Sequence, residues 1–225
     1  MATNRETATS EDLAMRSAME RMANSYDSYM RVMTLGRDRA LREMTVKLAQ
    51  VKPGDQVLEV GCGTGSLTLA AKRQAGSSGR AYGIDQIPRM IELSRQKAER
   101  AGEEITFQLG GIDAIPFPDG QFDVVLCSFM IFHMSEGIRR RGLAEIRRVL
   151  KPGGQLLVLD MARPANAVER FVADRLFGGM MQHDLRELLP VLTSSGFAEP
   201  EIGGAPFRVA FLSVLGYVRA CARSG

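Results

Sequence analysis

The fold is decided by residues 57–66, which read V-L-E-V-G-C-G-T-G-S. An apolar run of strand length precedes three alternating glycines. After them, the apolar residues of 66–75 recur at the spacing of a helix. Glycine lets the backbone turn sharply and lets a ligand reach main-chain atoms that a side chain would cover. A dinucleotide loop of the form G-x-G-x-x-G would place its third glycine one residue later. The stretch therefore predicts a strand, a nucleotide-binding loop and a helix, in that order.

Strands and helices alternate on the carboxyl side of this loop. The predicted strands are 56–60, 81–84, 105–109, 122–127 and 155–160, and the predicted helices are 66–75, 89–101 and 138–150. After Met161 the alternation loosens, with a helix at 185–194 and strands at 199–203 and 213–220. Such alternation is typical of a parallel sheet covered by helices on both faces. The pattern therefore predicts an α/β fold with a doubly wound, Rossmann-like sheet.

The first fifth of the chain has a different character. Residues 11–33 are predicted to form one helix, since spacings of three and four place these side chains on one face: Met15, Met19, Met22, Tyr26, Tyr29 and Met33. Packing against the sheet is the simpler interpretation of the first three methionines. The other is a lid, in which flexible thioethers repack around an apolar ligand, and for Met30 and Met33 both stay open. We expect a helical cover over residues 1–50 and one ligand-binding domain over 51–225.

Composition limits the class of protein. The chain has 225 residues, of which 45% are hydrophobic and 24% charged, and its formal net charge is +3. These values are ordinary for a globular domain, and the charge is too small for the dense basic patch of a nucleic-acid binder. Three scattered cysteines fit neither a disulfide framework nor a metal cluster. We find no apolar leader and no run near the roughly 20 residues that a bilayer requires, so we expect a cytoplasmic protein without a transmembrane segment.

Several motifs, taken in order, resemble those of the class I S-adenosylmethionine-dependent methyltransferases. They are E-x-G-x-G-x-G at 59–65, G-I-D at 83–85, G-I-D-A at 111–114, F-D-V-V at 122–125 and L-K-P-G-G at 150–154. The resemblance covers most of the chain, from about Tyr26 to Ala220. It implies a single sheet of seven strands, mostly parallel with the last strand antiparallel, under an N-terminal helical lid. It also implies that 51–225 is the methyltransferase domain and that S-adenosyl-L-methionine is the cofactor.

The resemblance assigns roles to individual residues. Asp85 would accept from the ribose hydroxyls, Asp113 would accept from the adenine amino group, and Tyr26 would lie near the methionine end. The full set of implied cofactor-binding residues is Tyr26, Glu59, Gly61, Cys62, Gly63, Gly65, Asp85, Gln86, Ile112, Asp113, Ser128 and His133. Taken alone, each has a simpler interpretation: the glycines as a tight turn, Asp85 as a helix cap and Asp113 as an ordinary loop residue.

Within this class the chain is similar to the ubiquinone/menaquinone biosynthesis C-methyltransferases. The similarity rests on Tyr26-Asp27, Leu35-Gly36, Ile115-Pro116-Phe117 and residues 119–123. Enzymes that methylate phospholipids, sterols, polyketides and natural products share this signature. The implied acceptor is a small, largely apolar or aromatic molecule. A lipid-headgroup methyltransferase, an NAD-dependent oxidoreductase and a non-catalytic binding module remain as alternatives, and a homodimer and a peripheral membrane contact stay open.

The implied chemistry asks mainly for positioning, because the sulfonium of the cofactor already carries an activated methyl group. A general base is needed only where the acceptor must lose a proton. The candidate catalytic residues are His133, just after the fourth strand, and His183, before a helix. The simpler interpretation of His133 is a loop histidine. No metal site is expected, because the carboxylates and histidines lack ligand spacing on one element.

Overall fold

Helices and strands alternate through most of the chain. A computed structural model describes residues 9–164, 166–177, 184–209 and 212–223. The helices are α1 (Ser10–Met22), α2 (Tyr26–Met33), α3 (Asp38–Leu48), α4 (Ser66–Ala75), α5 (Pro88–Ala101), α6 (Glu136–Val149), α7 (Ala167–Phe177) and α8 (Leu188–Ser194). The strands are β1 (Gln56–Val60), β2 (Arg80–Asp85), β3 (Thr106–Leu109), β4 (Phe122–Ser128), β5 (Leu150–Met161), β6 (Phe197–Gly204) and β7 (Leu215–Ala222).

Among the described residues, seven strands form one sheet in the order β3-β2-β1-β4-β5-β7-β6. Neighbouring strands run parallel from β3 to β5, and β7 runs antiparallel to both β5 and β6. This confirms the predicted fold class. The chain leaves β1 for β2 and β3 and then returns to β4, so the winding reverses between β1 and β4. Ligands of open α/β sheets bind outside the carboxyl ends of the strands at such a reversal.

Side chains of β1 pack alternately on the two faces of the sheet, as the period of a strand requires. Val57 contacts the apolar cluster that includes α3 and α4, whereas Leu58 and Val60 belong to the cluster formed with α6 and α8. The strand is therefore held between two helical layers. Because packing fixes β1 on both sides, it also fixes the start of the glycine loop.

The N-terminal helix differs from the prediction of one continuous element over 11–33. A 3₁₀ turn at Ala23–Ser25 divides it into α1 and α2. Asparagine and serine in this turn are weak helix formers that compete for main-chain groups, and the Ser25 hydroxyl donates to the carbonyl of Met22 at 3.1 Å.

The segment after Met161 contains a helix, α7, that the sequence analysis does not predict. In α7 only Ala173 is buried among the side chains that the structure describes. Its apolar residues Val168, Phe171, Val172 and Leu176 do recur at helical spacing, but they are exposed, so this period does not mark a buried face. The last strands follow the predicted positions closely, with boundaries shifted by two residues or fewer.

Candidate active site

The glycine loop turns the chain across the carboxyl edge of the sheet. Gly61 has a φ of +69°, and a Cβ there would lie 3.0 Å from Sδ and Cε of Met130. Gly65 has a φ of +78°, and a Cβ there would lie 2.8 Å from Cζ of Phe107. Both positions therefore need glycine for conformation and for space. The result is a stretch of bare main chain at the edge where the winding reverses.

Asp85 ends β2 and closes on this loop. Its Oδ2 accepts from the main-chain N–H of Gly63 at 2.9 Å, and its Oδ1 accepts from that of Ile87 at 2.9 Å. Burial raises the pKa of the Asp85 carboxyl, while the two amides fix its orientation. Each carboxylate oxygen keeps a second acceptor site. Asp85 can therefore still accept from two neighbouring hydroxyls in the cavity of about 180 Å³ that lies against the glycine loop, here called the loop cavity.

Ile112 and Asp113 form another wall of the loop cavity. Ile112 is buried against α6, where a Cβ on Gly142 would lie only 2.6 Å from its Cγ1. The carboxylate of Asp113 lies 3.6 Å from the guanidinium of Arg141. This ion pair holds a partly exposed acceptor next to a fixed apolar surface, an arrangement that suits an aromatic ring with a polar edge.

The chain after β4 makes a strained turn into the site. Phe129 has a φ of +55°, a region that residues other than glycine rarely adopt, and its N–H donates to the carbonyl of Leu159 at 2.9 Å. The 3₁₀ turn Ile131–His133 follows directly. Strained backbone is often found at functional sites. Here it brings Ser128, Phe129 and His133 to the loop cavity.

A second cavity, of about 230 Å³, is almost entirely apolar and is called the apolar cavity below. It shares Met15, Met19, Tyr26, Phe129 and His133 with the loop cavity. Its other lining residues are Met22, Tyr29, Met30, Met33, Thr34, Leu41, Met161, Val209 and Leu215. The methionine face of residues 11–33 thus lines cavities. Met19 also packs against the buried cluster of Ala23, Ile87 and Met90, so helix packing accounts for part of this face.

Hydrogen bonds tie the N-terminal helices to the walls of the loop cavity. The carboxylate of Asp27 accepts from the Thr64 hydroxyl at 2.6 Å and pairs with the ammonium of Lys97 at 2.8 Å. The same ammonium donates to Thr64 at 2.8 Å, and burial lowers the pKa of Lys97. These three residues are called the Asp27–Thr64–Lys97 cluster below. The cluster joins α2, the glycine loop and α5.

Three of the implied binding residues lie beneath the glycine loop. Glu59 is buried and accepts from the hydroxyl of Thr68, and burial raises its pKa to about 7. Cys62 packs in an apolar cluster with residues of α5 and β3, and burial raises the pKa of its thiol. Gly65 is the N-cap of α4. The side chains of Glu59 and Cys62 support the loop from below.

The structure brings the other described candidates together around the loop cavity. They are Tyr26, Gly61, Gly63, Asp85, Gln86, Ile112, Asp113, Ser128 and His133. His133 also reaches the apolar cavity, and burial raises the pKa of the Tyr26 phenol, which therefore stays protonated at neutral pH. His183 lies outside the described residues. The sequence motifs thus predicted many of the residues that line the loop cavity.

Sequence reasoning missed the walls that come from α1 and from the residues after β4. Asp12 and Arg16 line the loop cavity, and Met130 and Met134 complete it. The Arg16 guanidinium donates to the carbonyl of Gln86 at 3.1 Å. A signal existed for the methionines, because Met130 and Met134 flank the candidate His133. No local pattern reveals that Asp12 and Arg16 contact residues 70 or more positions away.

Within the described ranges, no group of three or more histidine, cysteine, aspartate or glutamate side chains could hold a metal ion. None of the described helices is both long enough and apolar enough to cross a membrane.

Comparison with known proteins identifies the family. The sequence profile of the ubiE/COQ5 methyltransferase family matches residues 7–183, which is more than half of the chain. The chain belongs to the ubiE/COQ5 methyltransferase family. It is 34% identical over 154 residues to a 2-phytyl-1,4-naphtoquinone methyltransferase of Trichormus variabilis, covering 68% of this chain and 66% of that one. It is 35% identical over 159 residues to a demethylmenaquinone methyltransferase of Symbiobacterium thermophilum, covering 70% and 62%.

A solved structure shows the same fold. A SAM-dependent methyltransferase from Aquifex aeolicus matches with a TM-score of 0.68 and 20% identity, covering 90% of this chain and 98% of that one. At this identity the likeness concerns the fold alone. The two relatives are longer than the matched region, so this ubiE/COQ5 family member spans less than two thirds of either. Family membership confirms the resemblance drawn from the motifs and implies S-adenosylmethionine as the cofactor.

The residues of the loop cavity fit that cofactor. Asp85 offers two oriented acceptor oxygens beside the glycine loop, as neighbouring ribose hydroxyls require. Ile112 offers an apolar surface next to the acceptor Asp113, as an adenine ring requires. Main chain without side chains at Gly61 and Gly63 leaves room for close approach.

Proposed function

We propose that this chain transfers a methyl group from S-adenosylmethionine to a quinone-type aromatic acceptor that carries an apolar side chain. The observation that carries the proposal is the contact between the two cavities, which share Met15, Met19, Tyr26, Phe129 and His133. An acceptor in the apolar cavity would lie directly against the cofactor. One of the two relatives is named a 2-phytyl-1,4-naphtoquinone methyltransferase and the other a demethylmenaquinone methyltransferase, and these names support this class of acceptor.

The proposal assigns work to the residues around the loop cavity. Asp85 would bind the ribose, Ile112 and Asp113 would bind the adenine, and Tyr26 would contact the methionine end. Residues 1–50 would form the helical cover, in which α1 and α2 close over both cavities. Within that cover, α3 would be the anchor on the domain formed by 51–225, since Val46 packs in the cluster of α4 and β1.

When bound, S-adenosylmethionine supplies a methyl group on a sulfonium sulfur, ready for in-line displacement. The chain itself has three tasks. Tyr26 and Phe129, which line both cavities, hold the acceptor ring and the methyl donor in one line, and positioning of this kind supplies much of the rate. The methionines of α1 and α2 exclude water from the reacting atoms. The third task is proton removal, because an aromatic carbon that gains a methyl group must lose its hydrogen.

His133 is the proposed base for that step. It lies in the wall that both cavities share, so its ring can face an acceptor that is aligned with the cofactor. A neutral imidazole can take a proton from a phenolic hydroxyl or from the ring carbon. The apolar lining of the second cavity favours a ring with an apolar chain over a charged lipid headgroup, since burial of an unpaired charge is costly.

Three measurements distinguish this function from the alternatives: calorimetry with S-adenosylhomocysteine, a thermal shift with NAD, and methyl transfer to a panel of acceptors. We expect S-adenosylhomocysteine, the product form of the cofactor, to bind at micromolar concentration, and we expect no thermal shift with NAD. Binding of NAD without binding of S-adenosylhomocysteine would favour an oxidoreductase. Tight binding of S-adenosylhomocysteine without methyl transfer to any naphthoquinone, phenol or lipid acceptor would favour a non-catalytic module.

A further inference from the structure

Arg42 of α3 is a buried cation without an ion pair. The residue is only 6% exposed, and its Nε is fully buried with no hydrogen-bond partner among the described residues. Arg42 forms no salt bridge with any residue that the structure describes. A guanidinium stays charged in proteins and is costly to bury unless it is paired. Arg42 therefore has the charge to stabilise an anion that binds next to it.

The carboxyl groups near Arg42 are already engaged with other side chains. The charge of Arg42 acts on both Asp27 and Glu59. The Asp27 carboxylate pairs with the ammonium of Lys97 at 2.8 Å, and Glu59 accepts from the hydroxyl of Thr68. Neither carboxyl group forms a salt bridge with the guanidinium, so its charge is left for a further anion.

Arg42 contacts the phenol of Tyr26 instead. Burial raises the pKa of this phenol, while the charge of Arg42 and a hydrogen bond with its guanidinium act in the opposite direction. A guanidinium can only donate, so the hydroxyl oxygen of Tyr26 accepts from Arg42 and the hydroxyl hydrogen remains to donate elsewhere. The Tyr26 hydroxyl is therefore a donor that is held in a positive field.

Tyr26 lies in the wall of the loop cavity beside the glycine loop. A Cβ on Gly63 would lie 3.8 Å from Cε1 of Tyr26, so the ring lies against main chain that carries no side chain. Arg42 is not in that wall, and it therefore acts on the cavity through Tyr26. The methionine end of S-adenosylmethionine carries a carboxylate and an ammonium group. A donor in a positive field attracts the carboxylate and repels the ammonium.

We propose that Arg42 is a positioning residue that holds the Tyr26 hydroxyl as a donor to the methionine carboxylate of the cofactor. The inference rests on the part of the proposed function that brings the methionine end to Tyr26, and it is independent of the acceptor. Because Arg42 fixes the hydroxyl beforehand, binding of the carboxylate does not have to order a free side chain. A purely structural role of Arg42 in the packing of α3 would affect every ligand alike.

Calorimetry of the full chain with two ligands tests this role. The probes are S-adenosylhomocysteine and its decarboxylated form, which keeps the adenosine, the sulfur and the amine. We expect the parent chain to prefer S-adenosylhomocysteine by about tenfold or more, since hydrogen bonds to charged groups are the stronger ones. Arg42→Gln should lose most of that preference, with the Kd for the decarboxylated ligand within about twofold of the parent value. Arg42→Lys should keep part of the preference, because an ammonium also donates. Arg39→Gln, an exposed arginine on the same helix, is the matched control and should bind both ligands like the parent chain.

A double-mutant cycle tests whether Arg42 acts through Tyr26. If it does, Tyr26→Phe and the double variant Y26F/R42Q should lose the same affinity for S-adenosylhomocysteine. Additive losses in the double variant would overturn the proposal, and so would equal losses for both ligands in Arg42→Gln. A parent chain that binds both ligands equally would also overturn it, and this comparison needs no variant of a buried residue to fold. Selectivity for the carboxylate in a chain that methylates no quinone would support the role of Arg42 and count against the proposed acceptor.

Discussion

At the scale of single residues, the site is organised by main-chain amides acting on one carboxylate. Asp85 would be free to rotate at the end of β2, but the N–H groups of Gly63 and Ile87 hold both of its oxygens. The sequence motif predicts an acidic residue at this position. It does not predict that the carboxylate also accepts a hydrogen bond from the glycine loop. Asp85 therefore has two tasks, one toward the loop and one toward the proposed ribose.

We predict that Asp85→Asn weakens binding of S-adenosylhomocysteine by about tenfold or more, since a lost charge-assisted acceptor leaves donors without their partner. Isothermal calorimetry measures the change in Kd. Asp119→Asn is the matched control, because its carboxylate lies in an exposed salt bridge with Arg148. An unchanged Kd for Asp85→Asn would remove Asp85 from the binding site.

We predict that His133→Ala lowers kcat by about a hundredfold, the lower range for loss of a general base, with little change in the Kd for S-adenosylhomocysteine. The reason is that His133 would act on the acceptor proton and not on cofactor affinity. Rapid-quench measurement of methyl transfer checks kcat, and calorimetry checks the Kd. Equal losses in both quantities would assign His133 to cofactor binding alone.

Two buried carboxyls should make stability depend on pH. Burial raises the pKa of Glu59 and of Asp160 to about 7, and Oδ2 of Asp160 has no hydrogen-bond partner among the described residues. The folded state therefore keeps protons that the unfolded chain releases at lower pH. Their stabilising contribution is complete below the unfolded pKa values of 3.8 and 4.5 and is lost as the pH rises through about 7.

We accordingly predict that Asp160→Asn gains stability relative to the parent chain between pH 5 and pH 8, by on the order of 1–3 kcal/mol. An amide cannot ionise, so the variant escapes the cost of a buried charge. Urea unfolding at both pH values provides the measurement, with Asp119→Asn as the exposed control. A parallel pH dependence in the parent and in Asp160→Asn would show that Asp160 ionises as easily when folded.

At the scale of elements, the Asp27–Thr64–Lys97 cluster couples α2 to the glycine loop. We predict that Lys97→Met loosens α2, because the Asp27 carboxylate loses its charged partner. Hydrogen exchange of residues 26–33 should speed up, and the affinity for S-adenosylhomocysteine should fall several-fold. Glu43→Gln, which breaks the exposed pair with Arg39 on α3, should leave both unchanged. Unaltered exchange in Lys97→Met would mean that packing alone holds α2.

The elements also show how far sequence reasoning reaches. Strands β1, β2, β4 and β5 and the glycine loop follow from apolar runs and glycine spacing, because most of the side chains in these strands are buried. The helix α7 is harder to predict, because its apolar residues at helical spacing, Val168, Phe171, Val172 and Leu176, face solvent and Ala173 alone is buried. The break at Ala23–Ser25 has only a weak local signal in Asn24 and Ser25, and no local pattern indicates the positive φ of Phe129. The contacts of Asp12 and Arg16 with distant loops are likewise invisible locally.

At the scale of the whole molecule, the winding of the sheet and the N-terminal helices create two adjoining cavities. The polar main chain of the glycine loop faces one, and the methionines of α1 and α2 face the other. This division matches a polar cofactor and an apolar acceptor.

The most direct test of this account supplies S-adenosylmethionine with a labelled methyl group and a reduced naphthoquinone that lacks the ring methyl. Mass analysis of the product is the measurement. We predict a product that carries the label on a ring carbon, formed at a rate that saturates with both molecules. Absence of any labelled quinone product, from a chain that binds S-adenosylhomocysteine at micromolar concentration, would contradict the account.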